Sequence, residues 1–220
     1  MRLVALLMLS AAAACAQPKR APAPAPDPFE AEIRSFEMRD RAVPPIPGGV
    51  VFVGSSSFRL WPDLAEDFPG VRVMNRGFGG STLPDVIRHT PRVVLPLRPR
   101  LVVLYAGDND LAAGRTPRQV AADYRAFVAL VRSALPATRV AFVSIKPSPS
   151  RWMLADQARE ANRLVREEIA SDPWQTYVDV FTPMLGPTGR PRPELFVDDS
   201  LHMTRAGYDI WRAVLDPVVR

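Results

Sequence analysis

The chain has 220 residues, a length typical of one domain with short extensions. Its net charge is +5, but many arginines stand beside carboxylates and no run of five basic residues occurs, which argues against a nucleic-acid-binding protein. The single cysteine, Cys15, excludes a disulfide within the chain, and two histidines are too few for a histidine-rich zinc site. We therefore expect a protein that works without a metal or another cofactor.

The first 14 residues carry one positive charge, then an apolar run, then small residues, which is the pattern of a secretory signal peptide. The apolar run is too short for a stable transmembrane helix. Cys15 directly follows Ala12-Ala13-Ala14, a junction that resembles the lipobox of bacterial lipoproteins, whose cysteine becomes the acylated N-terminus. The alternative is ordinary cleavage after the alanines that leaves Cys15 as a free thiol. We expect an exported protein in the periplasm or at the outer membrane, with membrane contact only through a lipid on Cys15.

A proline- and alanine-rich segment, residues 15–28, is expected to act as an extended tether. Residues 29–220 form the predicted domain, which opens with an amphipathic helix over Phe29–Arg41. Beyond it, short apolar runs alternate with longer segments of helical pattern. The predicted strands are Val50–Val53, Val71–Asn75, Leu101–Ala106, Val140–Ile145 and Tyr177–Phe181. The predicted helices are Asp63–Phe68, Thr82–Leu97, Pro117–Leu135, Trp152–Ser171 and Met203–Pro217.

The predicted strands lack alternation of polar and apolar residues, which is typical of parallel strands buried on both faces. Repeated strand–helix–strand units predict an α/β fold, a three-layer α/β/α sandwich of the flavodoxin-like kind with a parallel sheet of about five strands. In such sheets, ligands bind at the carboxyl ends of the strands. The polar residues that follow the predicted strands are therefore the candidates for a functional site.

Polar motifs follow several of these strands. Residues 54–56 (Gly-Ser-Ser) follow the first strand, residues 75–82 overlap the end of the second and continue beyond it, and residues 107–110 (Gly-Asp-Asn-Asp) follow the third. Asp199 and His202 come after the fifth strand and stand one helical turn apart. A serine nucleophile, a histidine base and an aspartate that orients the base make up a hydrolase triad. We expect these motifs to meet on one rim of the sheet.

Together the motifs resemble the sequence blocks of the SGNH (GDSL-like) hydrolase superfamily, over most of the predicted domain. The resemblance implies that Ser56 is the nucleophile, His202 the general base and Asp199 the residue that orients the histidine. It also implies an oxyanion hole formed by the backbone N–H groups of Ser56 and Gly80 and by the side-chain amide of Asn109. The third block, Gly-x-Asn-Asp, and the last block, Asp-x-x-His, are intact.

The first block departs from the family pattern, because Ser55 stands where the family usually has aspartate. This departure keeps open the alternative of a catalytically silent envelope binding module on the same scaffold. Serines after a strand also serve as helix caps, and Ser55 and Ser57 are candidates for that role.

Other side chains are candidates for the rim of the site. Lys146 follows the fourth strand, and Lys146 and Trp152 are candidates to line the substrate cleft, with a capping lysine and a core tryptophan as alternatives. Trp61 and Trp152 are candidates to stack on a sugar, and His89 is expected to be structural or exposed. The sequence thus predicts a carboxylic-ester hydrolase that acts on small acyl, acetyl-type esters, with saccharide esters among the candidate substrates.

Overall fold

The computed structural model describes residues 26–220. The predicted signal peptide (1–14), Cys15 and the tether up to residue 25 lie outside the described residues. Within residues 26–220, five β-strands alternate with α-helices. The strands are Val50–Gly54 (β1), Val73–Gly77 (β2), Leu101–Tyr105 (β3), Arg139–Val143 (β4) and Gln175–Val178 (β5). The helices are Glu30–Ala42 (α1), Ser56–Arg59 (α2), Leu83–Val93 (α3), Asp108–Ala112 (α4), Pro117–Ala134 (α5), Ala155–Ile169 (α6) and Arg205–Val219 (α7).

The strands form one parallel sheet in the order β2-β1-β3-β4-β5. The chain passes from β1 to β2 on one side and then continues through β3, β4 and β5 on the other. This is the strand order of flavodoxin-like sheets, and it confirms the predicted α/β fold with about five parallel strands. Because all strands run in one direction, the loops that follow β1, β2 and β3 leave the sheet at the same edge.

The central strands are buried on both faces because helices cover both sides of the sheet. In β1, Val51 and Val53 belong to a core covered by α1, α3, α5 and α6, whereas Val50 and Phe52 belong to a core covered by α7. Burying one apolar side chain of this size stabilises a fold by about 1.5–3 kcal/mol. The two cores hold the strand ends in fixed positions, and the candidate site is built on those ends.

The two edge strands differ from the sequence prediction by two residues. β2 begins two residues later than the predicted Val71–Asn75, because Val50 of β1 pairs with Val73. β5 begins two residues earlier than the predicted Tyr177–Phe181, and the last N–H groups of the predicted strand donate to the Ser144 hydroxyl instead. Both edge strands are largely half-buried, so an apolar run marks their ends less sharply.

The predicted helix over Asp63–Phe68 is wrong, since this segment forms consecutive turns. Pro62 and Pro69 bound the segment and leave too few residues for a stable helix. The carboxylate of Asp67 accepts the Nε1–H of Trp61 at 2.7 Å. This bond ties the turns to the core under α7.

Candidate active site

Ser56 lies where β1 ends and the one-turn helix α2 begins. Gly54, the last residue of β1, has φ +144°, and a Cβ atom here would lie 1.8 Å from the carbonyl oxygen of Tyr105 in β3. Only glycine therefore allows the chain to leave the sheet at this point. The carbonyl of Ser55 accepts the N–H of Phe58 at 3.1 Å, which starts the helix and makes Ser56 its first residue.

Ser56, His202 and Asp199 form one line of hydrogen bonds. His202 Nε2 lies 2.9 Å from Ser56 Oγ, and His202 Nδ1 lies 2.5 Å from Asp199 Oδ2. The other carboxylate oxygen of Asp199 accepts the backbone N–H groups of Leu201 and His202, each at 2.8 Å. These bonds fold residues 199–202 into a tight turn that presents the imidazole to Ser56.

The same contacts set the charge of Asp199. Burial acts to raise its pKa, but the hydrogen bonds from the backbone N–H and the ring of His202 outweigh burial and lower the pKa from 3.8 to about 2. The carboxylate is therefore ionised near neutral pH. An ionised carboxylate beside Nδ1 favours the tautomer with its proton on Nδ1, which leaves the lone pair of Nε2 directed at the Ser56 hydroxyl.

The loop after β2 and the helix after β3 are tied together. Asn109 Nδ2 donates to the carbonyl of Ser81 at 3.0 Å, and the backbone N–H of Leu83 donates to the carboxylate of Asp110 at 3.0 Å. Gly80, which precedes Ser81, has φ +80°, a conformation that favours glycine. The two links keep the Gly80 loop beside the Asn109 side chain.

Three donors of this edge are available to a ligand. The N–H of Ser56 lies in the first turn of a helix, where it has no intrahelical partner. Within residues 26–220, neither this N–H nor that of Gly80 donates to a protein acceptor. The side-chain amide of Asn109 has two N–H groups. One donates to the carbonyl of Ser81, and the other is left to donate to a ligand. A set of N–H donors near a nucleophile is what an oxyanion hole requires.

The ammonium group of Lys146, a candidate cleft residue, is buried. Nζ lies 3.2 Å from both Tyr105 Oη and Asp108 Oδ2, and the side chain is 1% exposed. Arg151 Nη1 lies 3.1 Å from the same oxygen of Asp108. Neither Asp108 nor Arg151 is among the site residues expected from the sequence. Asp108 is the variable position of the third block, and Arg151 stands in an irregular proline-rich segment where no pattern marks it.

The two candidate tryptophans have different surroundings. Trp152 is half-buried, and the guanidinium groups of Arg159 and Arg190 lie 5.1 and 5.2 Å from its ring centre. Trp61 is 2% exposed and packs in the core under α7, so the hypothesis that it stacks on a sugar is wrong. A cavity of about 20 Å³ lies beside Trp152. Its lining includes Leu111, Ile145, Pro147 and Phe181, with Asp108, Lys146 and Arg151 among its polar residues.

The two serines that flank Ser56 are buried. Ser55 occupies the position before the first residue of α2, but its hydroxyl makes no capping hydrogen bond. Within the described part of the chain, the hydroxyls of Ser55 and Ser57 have no hydrogen-bond partner. The predicted capping role of these side chains is therefore wrong, and their small size fits the close packing around the start of α2.

His89, expected to be structural or exposed, is 2% exposed and lies in α3. Its ring packs edge-on against Phe29 and Phe78, and its Nε2 lies 3.1 Å from a carboxylate oxygen of Asp27. Burial lowers the pKa of His89, so the ring is neutral near pH 7. The contacts give it a structural role, joining the segment before α1 to the domain.

Residues 49–210 match the GDSL-like Lipase/Acylhydrolase family. Among curated proteins, the chain is similar to platelet-activating factor acetylhydrolase IB subunit alpha1 from Homo sapiens and Bos taurus. Each is 29% identical over 168 residues, which cover 72% of this chain and 70% and 69% of those proteins. The segment matched to the family contains Ser56, Gly80, Asn109, Asp199 and His202.

Among solved structures, the fold is similar to that of a GDSL-like lipase from Bacteroides thetaiotaomicron. The TM-score is 0.72 at 23% identity, covering 86% of this chain and 97% of that chain. A carbohydrate esterase family 3 protein from Talaromyces cellulolyticus has a TM-score of 0.62 at 16% identity, covering 78% of this chain and 96% of that chain. At these identities, the likeness concerns the fold alone.

Proposed function

Because this chain belongs to the GDSL-like lipase/acylhydrolase family and is an ester hydrolase, we propose that it is a serine esterase whose triad is Ser56, His202 and Asp199. The observation that carries the proposal is the line of hydrogen bonds from Asp199 through the imidazole to Ser56 Oγ, with contacts of 2.5 and 2.9 Å. Both contacts lie within the reach needed for proton transfer.

In the proposed reaction, His202 Nε2 accepts the hydroxyl proton of Ser56 while Oγ attacks the carbonyl carbon of the ester. The tetrahedral intermediate collapses when the imidazolium gives this proton to the departing alcohol, and an acyl-serine remains. Water then loses a proton to the same imidazole and attacks the acyl-serine. The imidazolium returns this proton to Ser56 Oγ as the bond from Oγ to the acyl carbon breaks and the carboxylic acid leaves. Asp199 holds the imidazole in place and stabilises the imidazolium in both steps.

During each attack, negative charge develops on the carbonyl oxygen of the substrate. The proposed donors to this oxygen are the backbone N–H groups of Ser56 and Gly80 and the remaining N–H of the Asn109 amide. Donors that are already in place stabilise the developing charge without reorganisation. The loss of one such donor costs about 10²–10³-fold in kcat in comparable hydrolases.

We extend the proposal to esters of small acyl groups. The cavity of about 20 Å³ beside Trp152 is lined by Asp108 and Arg151, which both contact Asn109. A space of this size holds about one water molecule and has no room for a long acyl chain. The curated relatives are named acetylhydrolases, and one structural neighbour is a carbohydrate esterase. These names support acetyl esters, including those on saccharides, as the first substrates to examine.

The value of kcat/KM is expected to fall as the acyl chain lengthens. Each buried methylene contributes about 0.8 kcal/mol, so a long acyl site would raise kcat/KM with every added carbon, whereas a small cavity gives no such gain. The measurement is a series of p-nitrophenyl esters from acetyl and butyryl to decanoyl, followed by acetylated polysaccharides. A steady rise toward decanoyl would turn the assignment toward a lipase. Absence of turnover across the series would favour the silent binding module.

We also propose that the protein is exported and anchored by a lipid on Cys15. The signal-like residues 1–14 and the alanines before Cys15 support the proposal. Within residues 26–220, every helix falls short of the length or the apolar character needed to cross a bilayer. A lipid on Cys15 would supply a membrane attachment that does not depend on these helices.

Changing Cys15 to serine is expected to move the protein from the membrane fraction to the soluble fraction, because acylation requires the thiol. The change Ser10→Ala, in the same segment, should leave the protein with the membrane. Fractionation of cells expressing each form gives the distribution, and mass spectrometry gives the mature N-terminus. An unmodified N-terminus at Cys15 or Gln17 would rule out the anchor.

A further inference from the structure

The side-chain amide of Asn109 is held at both ends. Its Oδ1 accepts a hydrogen bond from Arg151 Nη2 at 2.9 Å, and its Nδ2 donates to the carbonyl of Ser81 at 3.0 Å. A guanidinium can only donate and a carbonyl oxygen can only accept, so the two bonds fix which end of the amide carries the nitrogen. The direction of the remaining amide N–H therefore depends on Arg151 as well as on Ser81.

Arg151 is itself held by a buried group of charges. Its Nη1 lies 3.1 Å from Asp108 Oδ2, and the ammonium of Lys146 lies 3.2 Å from the same oxygen. Burial acts to raise the pKa of Asp108, but the charges of Lys146 and Arg151 outweigh it and leave that pKa below its usual value. Asp108 is thus ionised, and it attracts the guanidinium at Nη1 while Nη2 donates to Asn109.

The segment that carries Arg151 is also joined to the turn that carries the triad. The backbone N–H and the hydroxyl of Ser150 both donate to the carbonyl of Ser200, at 3.1 and 2.9 Å. Ser200 lies between Asp199 and His202 in the sequence. Residues 150 and 151 therefore connect the turn of the proposed base to the side chain of the proposed oxyanion donor.

We propose that Arg151 is a positioning residue, whose guanidinium holds the Asn109 amide so that its remaining N–H points at the carbonyl oxygen of the ester. The inference rests on the proposed serine esterase function. A donor that is fixed before the reaction loses nothing to reorientation in the transition state. The cation on Oδ1 also polarises the amide and makes its N–H a stronger donor. With a neutral side chain at residue 151, the amide rotates more freely.

The test compares Arg151→Met, Asn109→Ala and the double variant in ester hydrolysis by the whole chain. Arg151→Met is expected to lower kcat by roughly 10- to 100-fold, the cost of a misplaced catalytic group, with KM changed by less than about threefold. Asn109→Ala should lose about 10²–10³-fold. In the double variant, the loss should equal that of Asn109→Ala alone, because Arg151 acts through this amide.

Arg132→Met is the matched control. The side chain of Arg132 is 31% exposed, and that of Arg151 is 24% exposed. Arg132 pairs with Asp172 and stacks on Trp174. It contacts none of the described site residues. Its loss removes the same charge and a comparable ion pair, and kcat should stay at the wild-type value. Arg151→Lys keeps the positive charge but lacks the planar set of guanidinium N–H donors, so this variant should recover only part of the rate. This variant also serves if Arg151→Met does not fold.

Two results would overturn the inference. One is a wild-type kcat in both Arg151 variants while Asn109→Ala is slow. The other is a double variant whose loss is the product of the two single losses, since independent effects multiply. If instead Asn109→Ala itself stays within about threefold of the wild type, Asn109 is not an oxyanion donor. That result contradicts the proposed oxyanion hole, and it also refutes the proposed positioning role of Arg151.

Discussion

Replacing Ser56 with alanine is expected to lower kcat for activated esters by about 10⁵–10⁶-fold, the scale seen when a serine hydrolase loses its nucleophile. Without Oγ, no acyl-serine forms, and only the oxyanion donors and substrate binding remain to accelerate attack by water. Among the described residues, the hydroxyl of Ser56 has one hydrogen-bond partner, Nε2 of His202, and Ser56 lies in a one-turn helix. Its removal is therefore expected to leave the fold and the unfolding temperature nearly unchanged.

The measurement combines ester hydrolysis with labelling by a fluorophosphonate, which reacts only with an activated serine. Wild-type protein should be labelled at Ser56, and Ser56→Ala should not be labelled. Ser55→Ala and Ser57→Ala are the matched controls, because they remove neighbouring hydroxyls that have no partner among residues 26–220. Both controls should retain labelling and turnover. Loss of both in Ser55→Ala or Ser57→Ala, with Ser56→Ala active, would move the nucleophile to that neighbouring serine.

The central sheet follows from the sequence because its strands are buried on both faces. β1 and β3 are continuous apolar runs, and so is β4 after the exposed Arg139 at its start. The predicted starts of all three lie within one residue of the observed ones. β2 and β5 are edge strands whose ends are set by pairing with one neighbour, so their apolar residues mark them only approximately. The helix predicted over Asp63–Phe68 fails because Pro62 and Pro69 leave too few residues for a stable helix, and Leu64 and Phe68 pack into the core from turns instead.

The polar residues at the strand ends were predictable because the topology of a parallel sheet brings those ends together. Ser56 and His202 are 146 positions apart, yet both belong to motifs at one edge. The buried ion pairs of Asp108 with Lys146 and Arg151 were not predictable in this way. Lys146 lies three residues after β4, and Arg151 lies in the irregular segment before α6. Both meet Asp108, and no local sequence pattern marks these contacts. The prediction that Trp61 stacks on a sugar is wrong because its burial is set by tertiary packing, which the local sequence does not show.

Changing Asp199 to asparagine is expected to lower kcat by about 10³–10⁴-fold. The amide is nearly the same size as the carboxylate, but it can donate to Nδ1 and so favours the tautomer with its proton on Nε2. That tautomer cannot accept the hydroxyl proton of Ser56. The imidazolium also loses the charge that stabilises it, so proton transfer from Ser56 becomes less favourable.

The pH profile of the same variant separates the charge of Asp199 from its shape. Its pKa of about 2 keeps the wild-type carboxylate ionised throughout pH 4–9, so an acid limb of kcat/KM in this range reports another group. The side chain of Asp199→Asn carries no charge at any of these pH values, so the variant should be slow across the whole range. Asp198→Asn removes a charge one residue away, from an exposed side chain, and should leave both the rate and the profile unchanged. If Asp199→Asn instead kept the wild-type rate and profile, Asp199 would serve only to fold the 199–202 turn through its bonds to the two backbone N–H groups.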